Sequence, residues 1–61
     1  MRPDTTPQPV IDTLLRFAEQ HCIIFPHTFV AAVEWDNLQH RYYFYYQGNY
    51  RGVELNGYLH P

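Results

Sequence analysis

The sequence predicts a small α+β domain in which one N-terminal amphipathic helix packs on a three-stranded antiparallel meander, an αβββ arrangement. Two patterns carry this expectation: a helical stripe confined to the first part of the chain, and an alternating, aromatic second half interrupted by a Gly-Asn pair. The length of 61 residues adds a bound, because it allows a single domain that buries only about 60% of the surface its unfolded form exposes.

The helix comes first. Residues 1–8 hold two prolines and two threonines without apolar periodicity and read as a flexible tail, leaving residues 9–61 as the domain. Pro9 suits a first helical turn, where a missing N–H costs nothing. From there Ile11, Leu14, Leu15, Ala18 and Cys22 fall on one stripe, with Asp12, Arg16, Glu19 and Gln20 on the other side. Cys22 then reads as a small buried hydrophobe. Pro26 disfavours helical dihedrals at Phe25, which predicts a helix end near residues 21–23.

Strand patterning follows. In residues 28–35, Phe29, Ala31, Val33 and Trp35 alternate against Val30, Ala32 and Glu34, the period of two of a half-buried strand. Residues 41–47 and 50–55 read as a hairpin about Gly48-Asn49, with Gly48 first in a type II′ turn. That register sets Phe44 opposite Val53 and Tyr42 opposite Leu55. A short loop around residues 36–39 sets Val33 opposite Tyr42, Ala31 opposite Phe44 and Phe29 opposite Tyr46. Both hairpins therefore assign Phe44 to the inner face. A rival second helix over residues 28–46 weakens because its stripe from Phe29 and Val33 runs into Asn37 and His40.

Composition narrows the classes of function. Cys22 is alone, so no intrachain disulfide forms and a reducing cytoplasm fits best. No apolar run approaches the roughly 20 residues of a membrane span, and the N-terminus lacks the apolar core of a signal peptide. The cationic residues are four arginines without a lysine, against six acidic residues, for a net charge of −2. That balance weighs against a phosphate-rich partner.

Chemistry is sparsely signalled. His21, Cys22 and His27 lie close in sequence, but they lack the paired ligand clusters of a structural zinc site; His40 and His60 stand apart, and no metal or cofactor is expected. Glu34 and Glu54 would form an acid–base pair only if the fold brought them together in a pocket. Phosphate loops, nucleophile elbows and zinc-protease patterns are missing, and a three-stranded sheet with one helix offers little concavity. The chain reads as non-enzymatic, and it carries no family signature.

Aromatic residues make up 18% of the sequence and six of them are tyrosines. Their strand preference explains part of this. It does not explain why both faces of residues 41–47 are aromatic, since one helix covers only one face. The other face is expected to expose Val30, Ala32, Tyr43, Tyr45 and Tyr50, flanked by Glu34 and Glu54, a patch of the kind that binds protein. Trp35 and Arg51 are the candidate anchors at its rim. The expected partner is a larger protein, with the chain acting as an inhibitor or adaptor of the sort that phages and mobile elements encode, or a second copy in a homodimer. Outer strands without proline or lysine permit edge pairing of that kind. The alternative is a single-stranded nucleic-acid binder that stacks bases on the same tyrosines with Arg41 and Arg51 supplying charge, which the neighbouring carboxylates oppose.

Overall fold

Two helices cover one face of a three-stranded antiparallel sheet in the computed structural model, which describes residues 5–61. In chain order the elements are α1 (Gln8–Gln20), α2 (Pro26–Ala31), β1 (Glu34–Asp36), β2 (Arg41–Tyr46) and β3 (Asn49–Val53), and the sheet runs β1-β2-β3. The αβββ order is the one expected, with an additional short helix before the sheet. Of the expected tail over residues 1–8, residues 1–4 lie outside the described ones, Thr6 is buried and Gln8 opens α1.

Helix α1 begins with Pro9 in its first turn, where the missing amide hydrogen would have had no intrahelical partner. Its buried side is Val10, Thr13, Leu14, Phe17 and Ala18, with Ile11 and Leu15 half-buried beside it. The stripe is thus rotated from the expected one, toward Phe17 and away from Cys22. Phe17 explains the rotation: its ring meets Phe29 at 5.8 Å, Phe44 at 5.0 Å and Tyr46 at 5.2 Å between centroids. Burying so large a side chain stabilises by about 1.5–3 kcal/mol, more than a cysteine offers. Cys22 is instead exposed, at φ 55°. It occupies the left-handed position that ends the helix, where Ile23 N–H donates to the Ala18 carbonyl at 2.9 Å and Cys22 N–H to Glu19 at 3.2 Å. These two bonds form a Schellman cap.

The expected strand over residues 28–35 is corrected. Pro26–Ala31 is helix α2, and the strand begins only at Glu34. Pro26, Phe29, Val30 and Val33 recur at helical spacing and are the residues turned inward, Val30 and Val33 fully and the other two partly. The alanines at 31 and 32 obscured this, because they fit a strand alternation while favouring helix more than any other residue. Val30 therefore belongs to the core and not to the outer face; Ala32 is exposed.

Both hairpins are shifted from the expected registers by two residues. β1 pairs Trp35 with Tyr42 and Glu34 with Tyr43; β2 pairs Tyr42 with Val53, Phe44 with Arg51 and Tyr45 with Tyr50. The turn is Gln47-Gly48, both at positive φ (52° and 79°), as a type I′ turn requires, instead of Gly48-Asn49 in type II′. Asn49 becomes the first residue of β3. A shift of two preserves which face each residue occupies. Tyr42, Phe44 and Val53 accordingly join Val10, Leu14, Phe17, Val30 and Val33 in one core.

The chain's last residues fold back along β3. Val53 forms a bridge with Leu59, Glu54 N–H donates to the Tyr58 carbonyl at 2.9 Å, and His60 N–H donates to Gly52 at 2.8 Å. Thr13 Oγ1 on α1 holds the Gly57 carbonyl at 2.5 Å, and Glu54 meets His60 Nε2 at 2.7 Å. The protein's own C-terminal segment therefore covers residues 52–54, the end of the β3 edge that was expected to be open for pairing with another chain.

Candidate functional site

Cross-strand partners point to the same side of a sheet, so the register determines which residues gather on the face away from the helices. Glu34 and Asp36 of β1, Arg41, Tyr43 and Tyr45 of β2, and Tyr50 and Gly52 of β3 share it. Gly52 leaves room for Arg41, whose Cδ lies 2.8 Å from where a Cβ would stand. Arg41 continues to the Gln39 side-chain carbonyl, to which its Nη2 donates.

The three tyrosines form one cluster. Tyr43 and Tyr50 stack nearly parallel, 12° apart with centroids at 5.4 Å, and Tyr45 stands edge-on to both at 6.1 and 5.8 Å. Tyr45 is 64% exposed and Tyr50 37%. Offset and edge-on contacts are the arrangements the ring quadrupole favours, so the cluster holds its shape without a covering layer.

Carboxylates fix two of the rings. Tyr43 Oη donates to Glu34 Oε1 at 3.1 Å, and Tyr50 Oη reaches across the sheet to Asp36 Oδ2 at 2.8 Å. The other oxygen of Asp36 accepts the backbone N–H groups of Leu38 and Gln39 at 2.9 and 3.0 Å, closing the β1–β2 loop. These bonds favour the charged acid and the neutral phenol. Asp36 lies below the ordinary carboxylate range, chiefly through the Gln39 N–H and then the Tyr50 hydroxyl. Tyr43 is raised above the ordinary phenol value, first by its bond to Glu34 and then by that residue's charge. Tyr50 is raised mainly by partial burial, with the bond to Asp36 second.

Of the expected site residues, the fold brings together Tyr43, Tyr45 and Tyr50. Arg51 is not with them; Trp35, whose ring turns to Tyr42, still lines the shallow cleft that Tyr43, Tyr45 and Tyr50 share. Trp35 pairs with Tyr42 and packs on its ring at 5.1 Å, and Arg51 pairs with Phe44 and places its guanidinium 6.0 Å from the centre of the Phe17 ring. Both sit on the helix side of the sheet, where strand alternation puts them once the register is known.

Two residues of this face were not singled out from sequence. Asp36 is recognisable in retrospect as an acidic side chain opening a four-residue turn, which it closes with its own oxygen. Leu38, 91% exposed at the tip of that turn, lines this cleft with Trp35, Asp36 and Asn37 beside the three tyrosines. A competing apolar outcrop is the α1–α2 connection, where Ile24 is 82% and Phe25 70% exposed. It consists of two loop side chains without an organised aromatic cluster around them.

Among the described residues no three His, Cys, Asp or Glu side chains converge as metal ligands would, and no helix is long and apolar enough to cross a membrane. His21 stacks on Phe17 at 4.1 Å, and His60 is paired with Glu54. No family profile, curated protein or solved structure matches the chain.

Proposed function

We propose that the chain is a protein-binding module that makes contact through the outer sheet face, with Tyr43, Tyr45 and Tyr50 at its centre and Leu38 at its rim. The observation that carries this reading is that both helices cover the same side of the sheet while three mutually packed tyrosines remain on the other, Tyr45 at 64% exposure. Tyrosine offers large contact area for few rotatable bonds. Here the cost of ordering is reduced further, because Tyr43 and Tyr50 are already held by Glu34 and Asp36.

Binding of this kind is stoichiometric, as in an inhibitor or adaptor, and calls for no catalytic group. A second copy of the chain belongs to the same class of partner and meets this same face. A reducing compartment such as the cytoplasm suits a lone, exposed cysteine. Base stacking is the weaker reading, since the two carboxylates bonded to these rings would stand beside any phosphate.

The test is photo-crosslinking in the cells that make the protein, with a benzophenone amino acid at position 45 or, for comparison, at position 25. The reading predicts a discrete protein adduct from position 45 that unlabelled wild-type chain competes away and a Tyr43→Ser, Tyr45→Ser chain does not. Adducts from position 25 alone, or adducts that the double variant competes equally well, would overturn it.

A further inference from the structure

The outer face has a gap beside Tyr45. β1 begins only at Glu34, opposite Tyr43, so the position that would face Tyr45 is taken by Ala32 at the end of α2. The small side chain leaves a cleft lined by Phe29, Ala32, Phe44, Tyr43 and Tyr45, with Glu34 at its margin. Its walls are apolar and aromatic and its one charge is negative.

Glu34 is half committed. Its Oε1 accepts the Tyr43 hydroxyl, its Oε2 accepts no hydrogen bond among the described residues, and no cation stands within ion-pair distance of it there, the pair between His60 and Glu54 being the one found. Asp36, by contrast, has Arg41 nearby to lower it. An apolar slot lined by a carboxylate that has no cationic partner among the described residues, beside an exposed ring, matches a long cationic side chain, which lays its stem on apolar surface and keeps its head at the charge. A planar guanidinium fits better than an ammonium, because it can lie on the Tyr45 ring while directing N–H groups at a carboxylate.

We propose that this cleft receives an arginine side chain of the protein partner, its stem along Ala32 and its guanidinium stacked on Tyr45 and bonded to Glu34. The inference rests on the protein-binding reading above and specifies the chemistry of the partner.

The experiment is a chemical-shift titration of the full chain with the blocked tripeptide acetyl-Gly-Arg-Gly-amide, alongside its citrulline and lysine counterparts. Saturable shifts at Ala32, Glu34 and Tyr45 with the arginine peptide are expected, with weaker binding of the lysine peptide and none of the neutral citrulline one. Glu34→Gln should weaken binding roughly tenfold, the scale of one charge-assisted hydrogen bond. Ala32→Leu, which fills the slot from an exposed position, should abolish it, and the same spectra report whether each variant is folded. Equal shifts around Asp12 and Glu19, unchanged affinity in Glu34→Gln, or a lysine peptide that binds as tightly would overturn the proposal. So would a thymidine oligomer that moves the same signals, which would favour base stacking. A crosslink from position 45 without arginine binding would remove this inference and leave the protein-binding reading standing; loss of both would remove both.

Discussion

The hydroxyls of Tyr43 and Tyr50 each end on a carboxylate, and this determines how the face responds to pH. Both phenols are raised, so the folded chain favours their neutral form. That contribution is fully present below the ordinary phenol value of about 10 and is lost as pH rises through the raised values. Asp36 is lowered, so its contribution is present above the ordinary aspartate value of about 4 and is lost as pH falls through the lowered one. Titration followed by phenolate absorbance should show Glu34→Gln returning Tyr43 toward the free phenol value. Asp36→Asn should shift Tyr50 only partly, since partial burial is the larger cause there. An unchanged alkaline titration in Glu34→Gln would mean that the Tyr43 bond does not persist in solution.

Elements were legible in the sequence where their signals were long or chemically distinctive. The 13 residues of α1 show both their proline start and their stop, and β2 declares itself through RYYFYY. The six residues of α2 were hidden because a helix that short shows little more than one repeat, and two alanines fit either period. The β2–β3 register differs by two because the positive φ of Gly48 serves the second turn position and Gln47 tolerates the first; the β1–β2 register differs because Asp36 pairs with Arg41, which leaves residues 37–40 as the loop. That slip spared the faces, which is why the three tyrosines were found together while the partners of Phe44 and Tyr42 were not. Alternation puts Arg51 on the helix side, opposite Phe44, and away from the rim expected for it, whereas Trp35, opposite Tyr42, still borders the cleft of the three tyrosines.

The ends of elements also carry measurable cost. Cys22 holds a left-handed cap that glycine adopts without strain, so Cys22→Gly should stabilise the protein by about 0.5–1 kcal/mol in thermal unfolding. Gly57 stands at φ 90°, and an added Cβ would lie 2.7 Å from the Pro9 carbonyl oxygen and 2.9 Å from Thr13 Oγ1. Gly57→Ala should therefore cost about 1–3 kcal/mol and speed hydrogen exchange at the Glu54 and His60 amides, which depend on the C-terminal segment. Unchanged exchange at those amides would show that the segment is held elsewhere.

At the scale of the whole molecule, the sheet separates two groups of aromatic residues with different roles. Phe17, Phe29, Tyr42 and Phe44 fill the single core between the helices and the sheet, whereas Tyr43, Tyr45 and Tyr50 touch mainly one another and two carboxylates. In a domain this small, little stability is available to maintain surface that does not contribute to folding. Equilibrium urea unfolding of the wild type, the Tyr43→Ser, Tyr45→Ser chain and Tyr42→Ala tests that division most directly. The outer pair should cost about 1–2 kcal/mol with an unchanged denaturant slope, the scale of exposed cross-strand contacts. Tyr42, only 1% exposed, should cost about 3–5 kcal/mol. A double variant that loses as much as Tyr42→Ala would make the outer tyrosines a second core and contradict their assignment to partner contact.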